Sequence, residues 1–467
     1  MRQSFSRPEF VALSALAVVT RFWGLLDPRA VVWDETHFEK FAGAYFTGAY
    51  YLDVHPPLGK LLLAGAAKLL GVTGAVLAAP EPAPALRALP ALAGALIIPV
   101  TYLLLCELGA GRRVATLAAA FLLVDNALLV ESRFILTDSM LLCFGMGALL
   151  CYATARNRTG RARWLWLALT GATAGAAASI KWTGLSALGL VLLAWAVESL
   201  WSRRKMAILV REKAVLVLVP IAVYVASFAV HFALLRKGGT GDLWMSPQFQ
   251  ATLVGDPRYE AGAQESFVRS FLDLNRVMGG INIAWATDTN AAASPWYTWP
   301  IAKHPIGFWS NIDAGTGAQR WIVLLPNPIV WWGALIGMGA VAAAAVARRA
   351  ELSRHRVLLA ALATGYALNF VPFAFIKRPM YLYHYFFALI FSVMLAAVGA
   401  GALAGWTGGD DAPGFGFRAS RSRALYAAAL GLAAVAFLYF APMSYGRPLS
   451  ANAVMHRRIL LERNRGR

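Results

Sequence analysis

Between Trp33 and Lys60 the chain collects four carboxylates, Asp34, Glu35, Glu39 and Asp53, and two histidines, His37 and His55, although only 24 of its 467 residues are acidic. A carboxylate set in an apolar frame suits a general base. Asp34 and Glu35 stand side by side, which alone is a weak signal, since adjacent acids are common. Phe38, Phe41, Tyr45, Phe46, Tyr50 and Tyr51 are interleaved with these groups, and amphipathic rings of this kind settle at a membrane–water boundary. The stretch reads as an active-site loop lying against a membrane surface.

A second set of costly polar groups stands at the ends of long apolar runs: Arg21, Arg87, Glu131, Arg133, Asp138, Lys181, Lys377, Arg378 and His384. Ionisable groups at membrane depth are expensive and mark function. Cations there suit a lipid-linked phosphate, whose head group stays at the interface while its tail lies in lipid. A nearby carboxylate would take the proton of an attacking hydroxyl, and the cations would stabilise charge on the departing phosphate. These parts describe a glycosyl transferase fed by a polyprenyl-phosphate sugar.

Each residue also has a plainer reading. Arg21 pairs with Asp34 or Glu35 simply to hold the loop. Arg133 and Asp138, five apart, form a structural ion pair at a helix turn. Lys181 and Arg378 snorkel to head groups, and His37 and His55 are ordinary loop hydrogen-bonders. His37, Asp34 and Asp53 offer no compelling metal-ligand spacing, and the expectation is that no metal is bound.

The elements that must position these groups are transmembrane helices. The chain is 59% hydrophobic and only 14% charged, and apolar runs of membrane-crossing length recur from end to end. The short alternating segments of a β-barrel do not appear. Eleven spans are expected, near 8–26, 85–108, 114–131, 137–155, 164–180, 183–201, 214–235, 321–347, 357–376, 381–404 and 424–441, giving an all-α polytopic protein built as one membrane domain over residues 1–467. Arg2 and Arg7 precede the first run with no small-residue cleavage site after it, so it is expected to be retained.

Basic clusters at Arg112/Arg113, Arg156–Arg163, Arg203–Lys205, Arg348–Arg356 and Arg418–Arg423 all fall on the side of the N-terminus if residues 58–79 do not cross. The positive-inside rule then makes that side the cytoplasm. Residues 58–79 are accordingly expected to form a juxtamembrane helix, with loops 27–57 and 237–319 outside. The second of these holds Asp256, Asp273, Asp288 and Ser294-Pro295-Trp296-Tyr297. The net charge of +19 is read as topological, since it is not gathered on one soluble face, and no nucleic-acid partner is expected. Cys106, Cys143 and Cys151 all sit in apolar runs and suggest neither a metal nor a disulfide framework.

Trp33-Asp34-Glu35-Thr36-His37-Phe38-Glu39-Lys40 and Asp53-Val54-His55-Pro56-Pro57-Leu58-Gly59-Lys60 resemble the first-loop signature of the protein O-mannosyltransferases. Ser132-Arg133-Phe134-Ile135-Leu136-Thr137-Asp138-Ser139, Ser179-Ile180-Lys181-Trp182-Thr183-Gly184 and Tyr383-His384-Tyr385 follow in the family's order, so the resemblance covers residues of about 20 to 390. It implies a GT-C fold with eleven spans and inverting transfer of mannose from polyprenyl-phosphate mannose to Ser or Thr hydroxyls of secreted proteins. It implies Asp34 and Glu35 as the family's catalytic acidic pair with Asp34 as base, Arg21 as the family's first-span arginine, Arg87 as the arginine of the next span, and no catalytic metal. Donor contacts are expected among Arg133, Lys181, Arg378, Tyr383 and His384, with His55 and Asp138 alongside. Eukaryotic members carry a β-trefoil MIR domain in the loop between spans 7 and 8, for which residues 237–319 are too few. The chain therefore looks like a bacterial plasma-membrane member acting on chains leaving the Sec translocon. Two other readings remain: a transferase adding aminoarabinose to lipid A, whose first loop usually has Lys where His55 stands, and a lipid flippase or transporter, which predicts internal repeats that the sequence does not show.

Overall fold

The computed structural model describes residues 5–78, 83–284, 290–404 and 419–462; residue 79, Asp288 and Arg418, which belong to stretches named above, lie outside them. The chain runs through α1 (Pro8–Phe22), α2 (Glu35–Thr47), α3 (Leu58–Leu69), α4 (Ala88–Glu107), α5 (Arg112–Leu123), α6 (Asn126–Ser132), α7 (Asp138–Arg156) and α8 (Gly160–Ile180). It continues through α9 (Leu185–Leu200), α10 (Met206–Leu234), α11 (Phe267–Ala284), a hairpin of β1 (Ile306–Ile312) and β2 (Gln319–Leu324), α12 (Pro328–Val346), α13 (Arg356–Phe370), α14 (Phe386–Ala404) and α15 (Ala419–Ser444).

Eight helices among the described residues are long and apolar enough to cross a membrane, nine when the bent pair α5–α6 counts as one span. The other two expected spans are also helical but fall short of that standard. The first, α1, has 15 residues, because the chain turns away at Trp23 and at Gly24, whose φ is +57°. The second, α8, has 21 residues but owes much of its length to Ala, Gly and Thr. Of an apolar 18-residue stretch within Leu382–Ala404, 89% is buried, against only 11% of the corresponding stretch within Arg421–Ser444. The former is apolar all round because protein surrounds it, the latter because lipid would. Close approach at the centre depends on glycine: a Cβ at Gly145 or Gly365 would overlap the rings of Phe387 and Phe391 of α14.

Two boundaries differ from the hydropathy reading. The expected span 321–347 is a helix only from Pro328; Ile322, Val323 and Leu324 belong to strand β2 and are buried there. A short apolar run serves a buried strand as well as a helix, and the Asn327 side chain, which accepts the N–H of Ile329, marks the true helix start. The run 114–131 is broken by a 63° bend. At that bend the buried Asp125 carboxylate accepts the N–H groups of Leu128 and Asn327 and the indole of Trp331 at 2.8–3.2 Å. Main-chain carbonyls freed by the bend are taken by side chains, those of Leu122 and Leu123 by Arg21 and that of Val124 by Asn327. Such repair is what a break at membrane depth requires. Residues 58–79 begin with α3, whose 12 residues reach about 18 Å, short of a bilayer's hydrocarbon thickness.

Candidate active site

Asp34 stands where the chain enters α2, directly after a strained residue. Trp33 has φ of 53°, a left-handed conformation costly for a bulky side chain. The neighbourhood holds it there: its N–H donates to the Phe308 carbonyl at 3.1 Å, and its ring stacks on Phe308 at 5.0 Å and 8°. The Asp34 main-chain carbonyl receives the N–H of His37 and opens the helix. Its side chain is half-buried and accepts no hydrogen bond among the described residues. Burial raises the Asp34 pKa above the ordinary carboxylate value; His37 and Lys181 oppose the rise, and Asp138 adds to it. A carboxylate without partners, made more basic by its surroundings, is equipped to accept a proton.

Glu35, one residue on, is built differently. It is fully buried. Arg87 Nε and Nη2 donate to its two oxygens at 2.7 Å each, and the N–H groups of Val32 and Ile135 donate to them at 2.9 and 3.0 Å. Arg87 spends its remaining donors on the carbonyls of Leu25, Pro28 and Ala30, with the Phe134 ring 4.9 Å from its guanidinium carbon. Three separate stretches of chain, residues 25–35, Arg87 and residues 134–135, meet on this pair. The geometry thus corrects the expectation of a catalytic pair: Glu35 has no oxygen left for a substrate and serves as the anchor of the loop that carries Asp34.

Three arginines expected near the donor phosphate belong to the same frame. Arg21 makes no pair with Asp34 or Glu35; it donates to the carbonyls of Leu123 and Leu122 and to the Thr20 hydroxyl. Arg133 does not pair with Asp138; it gathers the carbonyls of Arg21, Trp23 and Gly24 at 2.7–3.0 Å and lies over the Tyr445 ring. Arg87 is committed as described. All three are buried to within 1% and none lines the large cavity.

That cavity has a volume of about 750 Å³. It brings together His55, Asp138, Lys181, Arg378, Tyr383 and His384 from four separate parts of the chain, and it continues along apolar walls that include Leu142, Leu185, Phe373 and Phe387. Lys181 follows the end of α8 and donates to Asp138 Oδ2 at 2.6 Å; its ammonium is 5.6 Å from the Tyr383 ring. Arg378 donates to Asn282 Oδ1 at 2.7 Å. His384 Nδ1 lies 3.0 Å from both the N–H and the carbonyl oxygen of Tyr381, so the main chain of Tyr381 holds the ring with either nitrogen protonated. Below the cavity, Lys60 clamps the Asp53-Val54-His55-Pro56 turn, donating to Asp53 Oδ2 and to the carbonyls of His55 and Pro56 at 2.6–2.7 Å. Burial and the cations Lys181, Lys60 and Arg378 hold His55 well below the usual imidazole pKa, so it contributes a neutral ring.

Asn282 and Asn369 also line the cavity and were not singled out from the sequence. Asn282 fixes Arg378 and donates to the Val54 carbonyl at 3.2 Å, coupling α11 to the first loop. Its only trace in the sequence is that it is one of two amides, with Asn275, on an amphipathic helix. The arrangement as a whole offers cations and a neutral imidazole for an anion, apolar walls for a hydrocarbon, and a free carboxylate close enough for Lys181 and Asp138 to act on it.

Residues 11–236 match the family model described as dolichyl-phosphate-mannose-protein mannosyltransferase, and residues 267–463 match that of the C-terminal four-span region of protein O-mannosyltransferase. Protein O-mannosyl-transferase 1 of Mus musculus is 36% identical over 267 residues, which are 52% of this chain and 36% of the relative. Dolichyl-phosphate-mannose–protein mannosyltransferase 2 of Candida albicans is 33% identical over 295 residues, 58% of this chain and 38% of the relative. The matched part thus spans little more than a third of the length of these relatives. In fold, a chain of the Saccharomyces cerevisiae protein O-mannosyltransferase Pmt1–Pmt2 complex bound to the sugar donor superposes with a TM-score of 0.86 at 18% identity, over 96% of this chain and 91% of that one. The archaeal oligosaccharyltransferase AglB of Archaeoglobus fulgidus follows at 0.55 and 15%, over 95% and 56%. The fold is that of the GT-C glycosyltransferases.

Proposed function

Because the chain belongs to the protein O-mannosyltransferase family, we propose that it transfers mannose from polyprenyl-phosphate mannose to Ser or Thr hydroxyls of polypeptides. The observation that carries this reading is a cavity in which cations and apolar walls meet, two of whose lining residues, Lys181 and Asp138, act on the charge of the Asp34 carboxylate, which accepts no hydrogen bond among the described residues. The donor's phosphate sits among Lys181, Arg378 and His384, and its first isoprene units lie along Leu142 and Phe387. Asp34 takes the acceptor hydroxyl's proton as the oxygen attacks the anomeric carbon from the face opposite the phosphate, which inverts the sugar. The bond to phosphate breaks, and the charge left on it is met by Lys181 and Arg378. No divalent cation is needed in this scheme, because those side chains carry the neutralising charge.

The setting is part of the same proposal. In it the N-terminus lies in the cytoplasm, a reading the basic clusters support, and the cavity opens on the outer face of a bacterial plasma membrane, where chains leaving the Sec translocon supply unfolded acceptors. The purified protein in detergent, given polyprenyl-phosphate mannose and a Thr-containing peptide, is expected to form mannosyl-peptide at a rate unchanged by EDTA. No product with several acceptors would overturn the function. Loss in EDTA that added Mg²⁺ or Mn²⁺ restores would overturn the metal-free scheme alone.

Lys181→Met keeps the length of the side chain and removes its charge. It is expected to lower kcat/KM for the donor on the order of 10²-fold, by analogy with loss of one preorganised group at a developing anion. A variant that is folded and as active as wild type would take Lys181 out of the site.

A further inference from the structure

The main chain of the β-hairpin has one edge in use and one free. In the antiparallel register Ile312 faces Gln319, Asn311 faces Arg320, Ser310 faces Trp321 and Trp309 faces Ile322. Both main-chain groups of Gln319 bond to Leu449 at 2.8 and 2.9 Å, so they point away from β1. Ile312–Gln319 is therefore a pair without mutual hydrogen bonds, and the alternation of an antiparallel ladder fixes the rest. Asn311 and Trp309 turn their N–H and C=O groups inward to β2; Ser310 and Ile312 turn theirs outward. No hydrogen bond among the described residues reaches those outward groups, and both residues are exposed, Ile312 to 60%.

The next position along the same edge is Phe308, set off by a bulge between Gly307 and Trp309. Its carbonyl is the one that receives the Trp33 N–H. The free edge thus runs directly into the residue preceding Asp34. Chains usually blunt such an edge with Pro or Lys; Ser310-Asn311-Ile312 carries neither.

Resting on the reading of the chain as a polypeptide-modifying transferase, we propose that the outward edge of β1 at Ser310 and Ile312 takes an extended segment of the acceptor polypeptide as an added strand, in line with Trp33, and so delivers the acceptor hydroxyl to Asp34. From Phe308 to Ile312 the edge is about 13 Å long at some 3.4 Å per residue, which accommodates four residues beside the modified one. Main-chain pairing supplies affinity without reading side chains. That suits an enzyme whose acceptor is defined by a hydroxyl rather than by a sequence, and it requires the acceptor to be unfolded.

The test uses three versions of one Thr-containing peptide: unmodified, N-methylated at every second amide on one side of the Thr, and N-methylated at the intervening amides. Only one alternate set of amides can face β1. One methylated peptide is expected to show a KM raised about tenfold with kcat nearly unchanged, as loss of one or two hydrogen bonds predicts, while the other behaves like the parent. Equal behaviour of all three peptides overturns the added strand and leaves the transferase reading standing. No transfer even to the parent overturns both. As a second measurement, Ile312→Cys is expected to form a disulfide with a peptide carrying Cys near its Thr. Disulfide formation only between two copies of the variant would assign the edge to self-association and overturn the proposal.

Discussion

Asp34→Asn is expected to abolish transfer, with a loss on the order of 10²–10⁴-fold, while the protein folds as before. The amide keeps the size of the carboxylate. Nothing depends on Asp34 for structure, since its side chain makes no hydrogen bond among the described residues. What disappears is the basic oxygen. Because burial raises the Asp34 pKa, its charged form is lost on acidification at a higher pH than an ordinary aspartate would show. The wild-type rate should therefore fall on the acid side through that pKa, and the small residual rate of the variant should lack that limb. Mannosyl-peptide formation measured across pH for both proteins checks this. Transfer by Asp34→Asn at wild-type rate, or with an unchanged acid limb, would move the base elsewhere.

The neighbouring acid predicts the opposite split between activity and stability. Arg87→Ala leaves the Glu35 carboxylate fully buried with no cation, a situation that costs about 3–5 kcal/mol. Thermal unfolding in detergent is expected at a clearly lower temperature than for wild type, with easier proteolysis between Leu25 and Val32. Replacing the pair by apolar residues, Glu35→Leu with Arg87→Met, removes the charge problem. It still leaves the N–H groups of Val32 and Ile135 and the carbonyls of Pro28 and Ala30 without their partners, at about 1–3 kcal/mol for each that stays dry. The double variant should therefore remain destabilised, unlike simpler buried ion pairs. An unchanged unfolding temperature for Arg87→Ala would refute the anchoring role.

This contrast shows where sequence reading stops. Asp34 and Glu35 are adjacent, alike in chemistry and set in the same motif. What separates them is a cation 52 positions away, and no local pattern encodes it. Arg21 and Arg133 fail to declare themselves for a related reason. Their partners are main-chain carbonyls, which every residue has, so the sequence shows two costly cations and nothing of what they hold. Lys181, Arg378 and His384 were legible as a group because a polar side chain at the edge of an apolar run has few excuses. The helices were legible from hydropathy except where a buried strand imitates a span, at Ile322–Leu324, and where Asp125 breaks one.

The repaired bend at Asp125 has a bearing on biogenesis. Asn327 completes its amide on the Ala433 carbonyl, Asn126 donates to Ser444, and the Tyr445 hydroxyl donates to the Thr20 carbonyl. Each of these bonds needs α15 or the turn after it, which leave the ribosome later than α1–α14. Until that span inserts, the Asn126 amide and one of the two Asn327 amide hydrogens lack these acceptors, and the Arg133 clamp on the entry to the first loop lacks its aromatic floor. The segments that carry Thr20, Asn126 and Asn327 are thus stitched to α15 and Tyr445 only once that stretch has been made. A nascent chain stalled before α15 would hold every residue of the cavity and yet lack the contacts that brace the loop aiming Asp34, so competence would wait for α15 rather than grow helix by helix.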